Sequence, residues 1–183
     1  MKFEARTIVL KDGRSCVLRT THPDDAEQMI EYMKRTASET PYLLRYPDEV
    51  SFTLEQEREL LTNLLDSPDQ VMMAAIVDGQ IAGNCSLSGM GMKRKIRHRC
   101  SMAIALYQEY WNLGIGSSMI AYLTEIAIRL GYEQIDLEVV ADNTRAQALY
   151  RKCGFTETGR RARALKLDDG TYHDEILMVK ILR

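Results

Sequence analysis

Two glycines stand one residue apart, Gly114 and Gly116, at the start of the most regular apolar helix that the sequence predicts. Glycine costs about 0.5–1 kcal/mol inside regular structure, so its use here needs a reason. The first turn of a helix carries unpaired N–H groups and about half a positive charge. Without side chains at these positions, a phosphate can approach those N–H groups closely. The spacing indicates either a loop that binds a pyrophosphate or a tight turn that needs glycine only for its backbone geometry.

Two well-known phosphate-binding motifs do not fit this loop. A P-loop needs lysine and then serine or threonine directly after its last glycine, whereas Ser117 follows Gly116 here. A dinucleotide-binding fingerprint needs a small residue three positions after its second glycine, where this chain has Met119. These differences argue against a P-loop nucleotidase and against an oxidoreductase that uses a nicotinamide cofactor.

A third pattern fits the loop and a second block of sequence further along the chain. The loop "WNLGIG" resembles the Gln/Arg-x-x-Gly-x-Gly/Ala loop of the GNAT superfamily of acyl-CoA-dependent N-acyltransferases, with Trp111 in place of the first residue. The block "DNTRAQALYRKCGF" is similar to that superfamily's Asn-x-x-Ala-x-x-Leu-Tyr-x-x-x-Gly-Phe pattern. The matching positions are Asn143, Ala146, Leu149, Tyr150, Gly154 and Phe155. The two blocks have the superfamily's usual order and separation, so the resemblance covers nearly the whole chain.

The resemblance implies an N-acetyltransferase that moves the acetyl group of acetyl-CoA directly to a primary amine of a small molecule or a protein. It also implies that backbone N–H groups of the loop bind the pyrophosphate of CoA. These loop residues are Asn112, Leu113, Gly114, Ile115, Gly116 and Ser117. The pantetheine arm would pair like an added strand with the backbone of Ile104, Ala105 and Leu106. A backbone N–H near Ile104 or Ala105 would then donate to the developing oxyanion.

Proton transfers are assigned to two side chains. By resemblance, Tyr150 is the general acid for the leaving thiolate, because a phenol stays neutral at pH 7. Asn143 is expected to cap the helix and to bind the pantetheine arm. Glu138 is the first candidate for the base that deprotonates the amine. Other candidates stay open at this point, including a chain of water molecules and three side chains, Asp136, His98 and Glu109.

The amine acceptor is expected to bind at the irregular segment "SETPYLLRYPDEVS", because loops often carry specificity. Glu39 and Tyr42 are the substrate residues predicted there, since a carboxylate can attract a cationic amine. A second class of function also remains, a CoA-binding regulatory or interaction module without turnover. Tyr150 and both intact blocks favour the enzyme.

Elements of secondary structure alternate along the chain in an order that fits the same superfamily. Hairpin turns are predicted at Asp12-Gly13 and Asp78-Gly79, helices at 114–130 and 144–152, and a long strand at 96–106. The strand, helix and strand between about residues 97 and 140 require a parallel pair. We therefore expect an α/β (α+β) fold in one GNAT-like domain over residues 1–183. Its central mixed, mostly antiparallel sheet would have a splayed central strand pair and about four flanking helices.

Bulk composition agrees with an ordinary globular protein. Hydrophobic residues make up 45% of the 183 residues and charged residues 27%, with a formal charge of −2. This balance gives no sign of a nucleic-acid partner. The sequence also shows no signal peptide, membrane span or metal motif, so we expect a cytoplasmic protein without a metal. The four cysteines are expected to be reduced and buried. Dimers are common in the superfamily, which leaves a homodimer open.

Overall fold

The computed structural model describes residues 1–182, which form eight β-strands and four α-helices. The elements in chain order are β1 Arg6–Val9, β2 Ser15–Thr20, α1 Ala26–Glu39, α2 Leu54–Asp66, β3 Gln70–Val77, β4 Gln80–Gly89, β5 Arg99–Leu106, α3 Ile115–Arg129, β6 Gln134–Val140, α4 Thr144–Lys152, β7 Thr156–Lys166 and β8 Tyr172–Ile181. Three short 3-10 helices lie between them, at Pro23–Asp25, Pro47–Glu49 and Gln108–Tyr110. None of the described helices is both long and apolar enough to cross a membrane.

The strands form a mixed sheet in the order β1-β2-β3-β4-β5-β6-β8-β7. Pairing is antiparallel within β1–β2, β2–β3, β3–β4, β6–β8 and β7–β8, and it is parallel between β5 and β6. The parallel register joins Arg99 to Gln134, Cys100 to Ile135 and Ser101 to Asp136, and both strands continue beyond it. The predicted mixed, mostly antiparallel sheet with four helices is therefore confirmed.

Within this fold, the described chain divides into two compact units. The first unit contains Met1–Ser88 and Ala103–Leu123. Its helix α2 begins at the cap Thr53, whose hydroxyl accepts the N–H of Gln56 at 3.2 Å. A buried cluster of Met29, Tyr32, Ile81 and Tyr107 packs α1 against β4 and the end of β5.

The second unit contains Gly89–Met102 and residues 124–182. Its strands β6, β8 and β7 pair in that order, and α4 follows β6. Alternation along β6 buries Ile135, Leu137 and Val139 on one face, which is the pattern of a strand with one face in a core. Phe155 and Met178 are buried in the same unit.

The helix that follows the two glycines is the element that the sequence predicts best. It spans Ile115–Arg129, one residue shorter at each end than expected. The apolar stripe expected at Ile115, Met119, Leu123, Ile126 and Leu130 is buried at its first four positions, and Leu130 is half-buried. Gly131 ends the helix with φ of +85°. There its N–H donates to the Ile128 carbonyl, as a C-terminal glycine cap requires.

The predicted start of β5, in the basic run of residues 93–99, was wrong. The strand was expected from Ile96, but the chain turns there and β5 begins at Arg99. Ile96 and Arg97 both donate their N–H groups to the Lys93 carbonyl, at 2.9 and 3.0 Å. His98 therefore lies in a turn and not on a strand. The many like charges of this run explain why it stays in a solvated turn.

Candidate functional site

The loop between β5 and α3 is fixed through its carbonyl groups. The Leu113 carbonyl accepts the N–H of Lys11 at 3.2 Å, from the turn between β1 and β2. The Gly114 carbonyl accepts the Ser118 N–H at 3.1 Å and the Ser117 hydroxyl at 2.9 Å. These contacts hold the loop while leaving its N–H groups free for other partners.

The N–H groups of residues 112–117 have no hydrogen-bond acceptor among residues 1–182. Asn112 and Gly114 adopt positive φ angles of 63° and 99°, a backbone form that turns successive N–H groups toward a common point. Gly114 is needed for that geometry, because an L side chain at this φ is strained even though nothing lies within 4 Å of its missing Cβ. The loop and the first turn of α3 thus form a site that suits an anion.

Trp111 fastens this loop to the end of β5. Its indole N–H donates to the Leu106 carbonyl at 3.0 Å. The residue that departs from the superfamily pattern therefore directs its single donor inward, where it supports the loop. Within the first unit, the structure brings the predicted backbone groups of Ile104–Leu106 and of the loop together.

Ala105 differs from its two neighbours on β5. Its carbonyl accepts the Tyr32 hydroxyl at 2.7 Å, a contact that no pattern in the sequence anticipates. Groups on successive residues of a strand point to opposite edges, so the N–H and C=O of Ile104 and Leu106 point away from this contact. Among the three predicted β5 residues, Ile104 and Leu106 have the backbone direction that an added strand requires.

Helix α4 of the second unit carries Asn143 and Tyr150. The Asn143 side-chain oxygen accepts the N–H of Ala146 at 3.1 Å, so its predicted capping role is confirmed. Tyr150 is 8% exposed, and its ring meets Phe155 edge-on at 5.9 Å. On the same helix, Ala148 is exposed and Leu149 is half-buried.

The hydroxyl of Tyr150 has no hydrogen-bond partner within the described part of the chain. Burial, followed by the charge of a Cys153 thiolate, raises the pKa of Tyr150 to about 12. The phenol therefore stays protonated over the whole physiological range of pH. The side chain is thus mostly buried, and no described residue accepts its phenolic proton.

Four carboxylates that the sequence offered as a base or an amine ligand already contact an arginine, namely Glu138, Asp136, Glu109 and Glu39. Glu138, which is exposed, lies 3.1 Å from Arg161, and Asp136 lies 2.6 Å from Arg99. Glu109 and Glu39 both pair with Arg35, at 2.6 and 2.9 Å. None of these contacts identifies a proton acceptor, so Glu138 as the base stays a prediction.

The two predicted substrate residues lie at the end of α1 and just beyond it. Glu39 also accepts the N–H of Gln108 at 2.7 Å, so its carboxylate joins α1 to the 3-10 helix after β5. Tyr42 is half-buried, and its N–H donates to Thr40 Oγ1 at 3.3 Å. Their contact with an amine remains a prediction.

A buried glutamate on α2 was not recognised from the sequence, where it reads as a favourable charge near the helix start. Glu57 is 1% exposed, and its Oε2 has no partner among the described residues. Burial raises the pKa of its carboxyl group, while the charge of Arg45 acts in the opposite direction. Its i+4 relation to the buried Leu61 was the one signal in the sequence that this position faces the core.

The cysteines are thiols, as expected. Cys16, Cys85 and Cys100 are buried, and burial raises the pKa of Cys100 to about 12. Cys153 is half-exposed, which differs from the predicted burial.

Comparison with known proteins places this arrangement among acetyltransferases. Residues 28–155 match the model of the "Acetyltransferase (GNAT) family". An acetyltransferase of Pseudomonas aeruginosa is 25% identical over 154 residues, which are 80% of this chain and 77% of that protein. Mycothiol acetyltransferase of Clavibacter sepedonicus is 29% identical over 90 residues, 49% of this chain. The match spans only 28% of that longer protein.

Solved structures resemble the fold over nearly its full length. An acetyltransferase of the GNAT family from Streptococcus pneumoniae has a TM-score of 0.85 and 27% identity, covering 92% of this chain and 99% of that one. A putative acetyltransferase from Salmonella typhimurium, solved with acetyl-CoA, has a TM-score of 0.79 and covers 92% and 94%. Its identity of 14% supports the fold alone.

Proposed function

Because the chain belongs to the acetyltransferase (GNAT) family, we propose that it transfers the acetyl group of acetyl-CoA to a primary amine of a small molecule or a protein. The observation that carries this proposal is the loop of residues 112–117. Its Leu113 and Gly114 carbonyls accept hydrogen bonds, while its N–H groups have no acceptor among the described residues. Acetyl-CoA supplies an activated thioester and an anionic pyrophosphate that suits such a loop.

Backbone groups of β5 would hold the acyl arm. Ile104 and Leu106 direct their N–H groups away from the Tyr32 contact, and Trp111 occupies the Leu106 carbonyl. These N–H groups are the donors we assign to the negative charge that develops on the acetyl oxygen. Asn143 would bind the arm with the polar capacity that its cap bond leaves unused.

Tyr150 is the proton donor in this proposal. As the new N–C bond forms and the C–S bond breaks, the sulfur takes the phenolic proton, and the phenolate then regains a proton from the water that accepts the amine proton. An ordinary thiol, with a pKa of about 8.5, would be too weak a base for a phenol whose pKa is about 12. Burial, however, raises thiol pKa values too, as it does for Cys100, to about 12. Burial of the leaving sulfur would act in the same direction and so favour proton transfer from Tyr150.

The amine must lose one proton, and water is the acceptor we favour. The candidate carboxylates Glu138, Asp136, Glu109 and Glu39 each have an arginine partner, and these ion pairs already engage their oxygens. The acceptor amine is proposed to bind at residues 38–51, the segment that contains Glu39 and Tyr42.

Two glycines in the first unit provide a matched test of the pyrophosphate loop. Gly114 and Gly79 have φ of +99° and +78°, and at neither position would an added Cβ have another atom within 4 Å. Substitution of either by alanine therefore imposes a similar backbone strain. We expect Gly114→Ala to weaken acetyl-CoA binding at least tenfold in titration calorimetry, while Gly79→Ala binds like the parent protein.

Turnover is measured separately as release of free CoA thiol with a panel of primary amines. Thiol release with at least one amine supports the transferase. Acetyl-CoA binding without thiol release across polyamines, aminoglycosides, amino acids and peptides would favour the CoA-binding module instead. Equal affinity in folded Gly114→Ala and Gly79→Ala would show that the pyrophosphate does not bind at this loop.

A further inference from the structure

A tyrosine hydroxyl lies between the two strands that lead to the proposed acyl site. Tyr32 of α1 is 3% exposed, and its Oη donates to the Ala105 carbonyl on β5 at 2.7 Å. The same Oη accepts the N–H of Asn84 on β4 at 3.1 Å. Both hydrogen bonds are of normal length, so the hydroxyl is fully engaged by the two strands.

The register of the strands shows that this hydroxyl takes the place of a direct backbone hydrogen bond. Tyr107 donates its N–H to the Ala82 carbonyl at 3.1 Å. Two residues further along each antiparallel strand, Asn84 faces Ala105, and such alternate pairs normally exchange backbone bonds. Here the Asn84 N–H and the Ala105 carbonyl both bond to Tyr32 instead.

The two hydrogen bonds of the Tyr32 hydroxyl fix the direction of the peptide groups at the end of β5. With the Ala105 carbonyl held toward Tyr32, alternation turns the N–H groups of Ile104 and Leu106 to the other edge of the strand. The contact between β4 and β5 is also tight: a Cβ on Gly83 would lie 2.8 Å from Leu106 Cγ and 3.2 Å from the Ala105 carbonyl oxygen. The tyrosine ring itself is held against Tyr107, with 5.1 Å between ring centroids.

We propose that Tyr32 is a positioning residue for acetyl transfer, which aims the Ile104 and Leu106 N–H groups at the acyl carbonyl by holding the peptide group of Ala105. The inference rests on the proposed function. Tyr32 itself touches neither the thioester nor the amine. Its effect is transmitted through one peptide group.

The test compares two buried tyrosines of the first unit that each donate a hydroxyl hydrogen bond to a backbone carbonyl. Tyr32 donates to Ala105, and Tyr122, 2% exposed, donates to Glu4. We expect Tyr32→Phe to lower kcat at least tenfold, with less than a threefold change in CoA affinity. Tyr122→Phe should keep the parent kcat.

A second readout does not depend on turnover. A ketone analogue of acetyl-CoA, with carbon in place of the thioester sulfur and a carbon-13 label in its carbonyl, reports polarisation through its infrared stretch. The parent protein and Tyr122→Phe should shift the stretch to lower frequency than in water. Tyr32→Phe should lose at least half of that shift. Gly83→Ala, which crowds Leu106 without removing a hydrogen bond, should also lose part of it.

The outcomes separate the inference from the proposed function. A folded Tyr32→Phe protein that retains both kcat and the carbonyl shift overturns the positioning role. A fall in kcat with the carbonyl shift retained overturns it as well, because the donors would then be correctly aimed. If Tyr32→Phe does not fold, a retained shift in folded Gly83→Ala overturns it. A parent protein that acetylates no amine refutes the proposed function, whereas the carbonyl shift still decides the role of Tyr32.

Discussion

Two buried tyrosines, Tyr32 in the first unit and Tyr150 in the second, use their hydroxyl groups in opposite ways. Tyr32 Oη makes two hydrogen bonds to the backbone, one as donor and one as acceptor. Tyr150 Oη has no partner within residues 1–182, although the side chain is only 8% exposed. Burial raises the pKa of both phenols, and that of Tyr150 reaches about 12.

This difference separates a hydroxyl that stabilises the fold from one that is left for a reaction. A buried polar group without a partner costs free energy, so its persistence needs an explanation. Tyr32 is fully satisfied and orders the strands around it. Tyr150 Oη makes no hydrogen bond to the described residues, and under the proposed function a ligand atom would be its partner.

The largest effect is expected from Tyr150→Phe. Loss of the proton donor should lower kcat by about 10²–10⁴-fold, the range typical of a general acid. Acetyl-CoA affinity should change little, because the phenol does not contact the pyrophosphate loop in this proposal. Steady-state kinetics and calorimetry measure the two quantities. Tyr132→Phe, at another buried tyrosine of the second unit, is the control. An unchanged kcat in Tyr150→Phe would remove its role as the acid.

Tyr150→Phe should have the larger effect on kcat, but Tyr32→Phe should have the larger effect on the free energy of unfolding. Tyr32→Phe leaves the Asn84 N–H and the Ala105 carbonyl without their partner, so the free energy of unfolding should fall by about 1–3 kcal/mol. Tyr150→Phe removes a hydroxyl that has no protein partner, and the expected change is below about 0.5 kcal/mol or slightly stabilising. Urea denaturation measures both. A larger loss of stability in Tyr150→Phe than in Tyr32→Phe would contradict this contrast.

Glu57 is a third buried side chain, and unlike the two phenols its carboxyl group can ionise within the pH range in which the protein is studied. Its pKa is raised by burial, so the native state retains this proton to higher pH than the unfolded state. The stability that Glu57 contributes is therefore present below pH 4.5 and is lost as pH rises through the native pKa. We expect Glu57→Gln to raise Tm by about 2–4 °C at pH 8, corresponding to about 1 kcal/mol, and to give no gain at pH 4.

The control for Glu57→Gln is Glu59→Gln, at an exposed position on the same helix. Thermal unfolding followed at several pH values measures both variants. A Tm of Glu57→Gln that rises equally at pH 4 and pH 8 would show that the gain does not come from the buried charge.

The smallest expected effect is an absence of change with pH. Because the pKa of Tyr150 is raised to about 12, the acid stays protonated throughout the alkaline range used in assays. The kcat should therefore show no decrease between about pH 8 and pH 10. A decrease in that range that disappears in Tyr150→Phe would mean that the phenol ionises far more easily than its burial implies.

Local patterns made much of this protein predictable. The helix at Thr144–Lys152 has the predicted bounds, because the Asn143 cap acts over a few neighbouring residues. The prediction that β5 begins at Ile96 was also decided by neighbouring residues. Charge repulsion within the basic run before Arg99 outweighs the alternating pattern there, and the prediction was wrong. Family and enzyme class, inferred from two blocks of sequence, are confirmed by the family match, and acetyl-CoA is the co-substrate of that family.

From the sequence alone, most helices and strands and the glycine-rich start of α3 could be placed, because capping, alternation and backbone freedom depend on neighbouring residues. Only the tertiary structure shows that the Tyr32 hydroxyl takes the place of a backbone hydrogen bond between β4 and β5. Tyr32 and its acceptor Ala105 are 73 positions apart in the sequence. The tertiary structure also decided that arginines occupy the candidate carboxylates and that Glu57 loses contact with water. Such effects depend on which distant groups meet and on how much solvent they exclude, and neither is encoded in the spacing of residues along the chain.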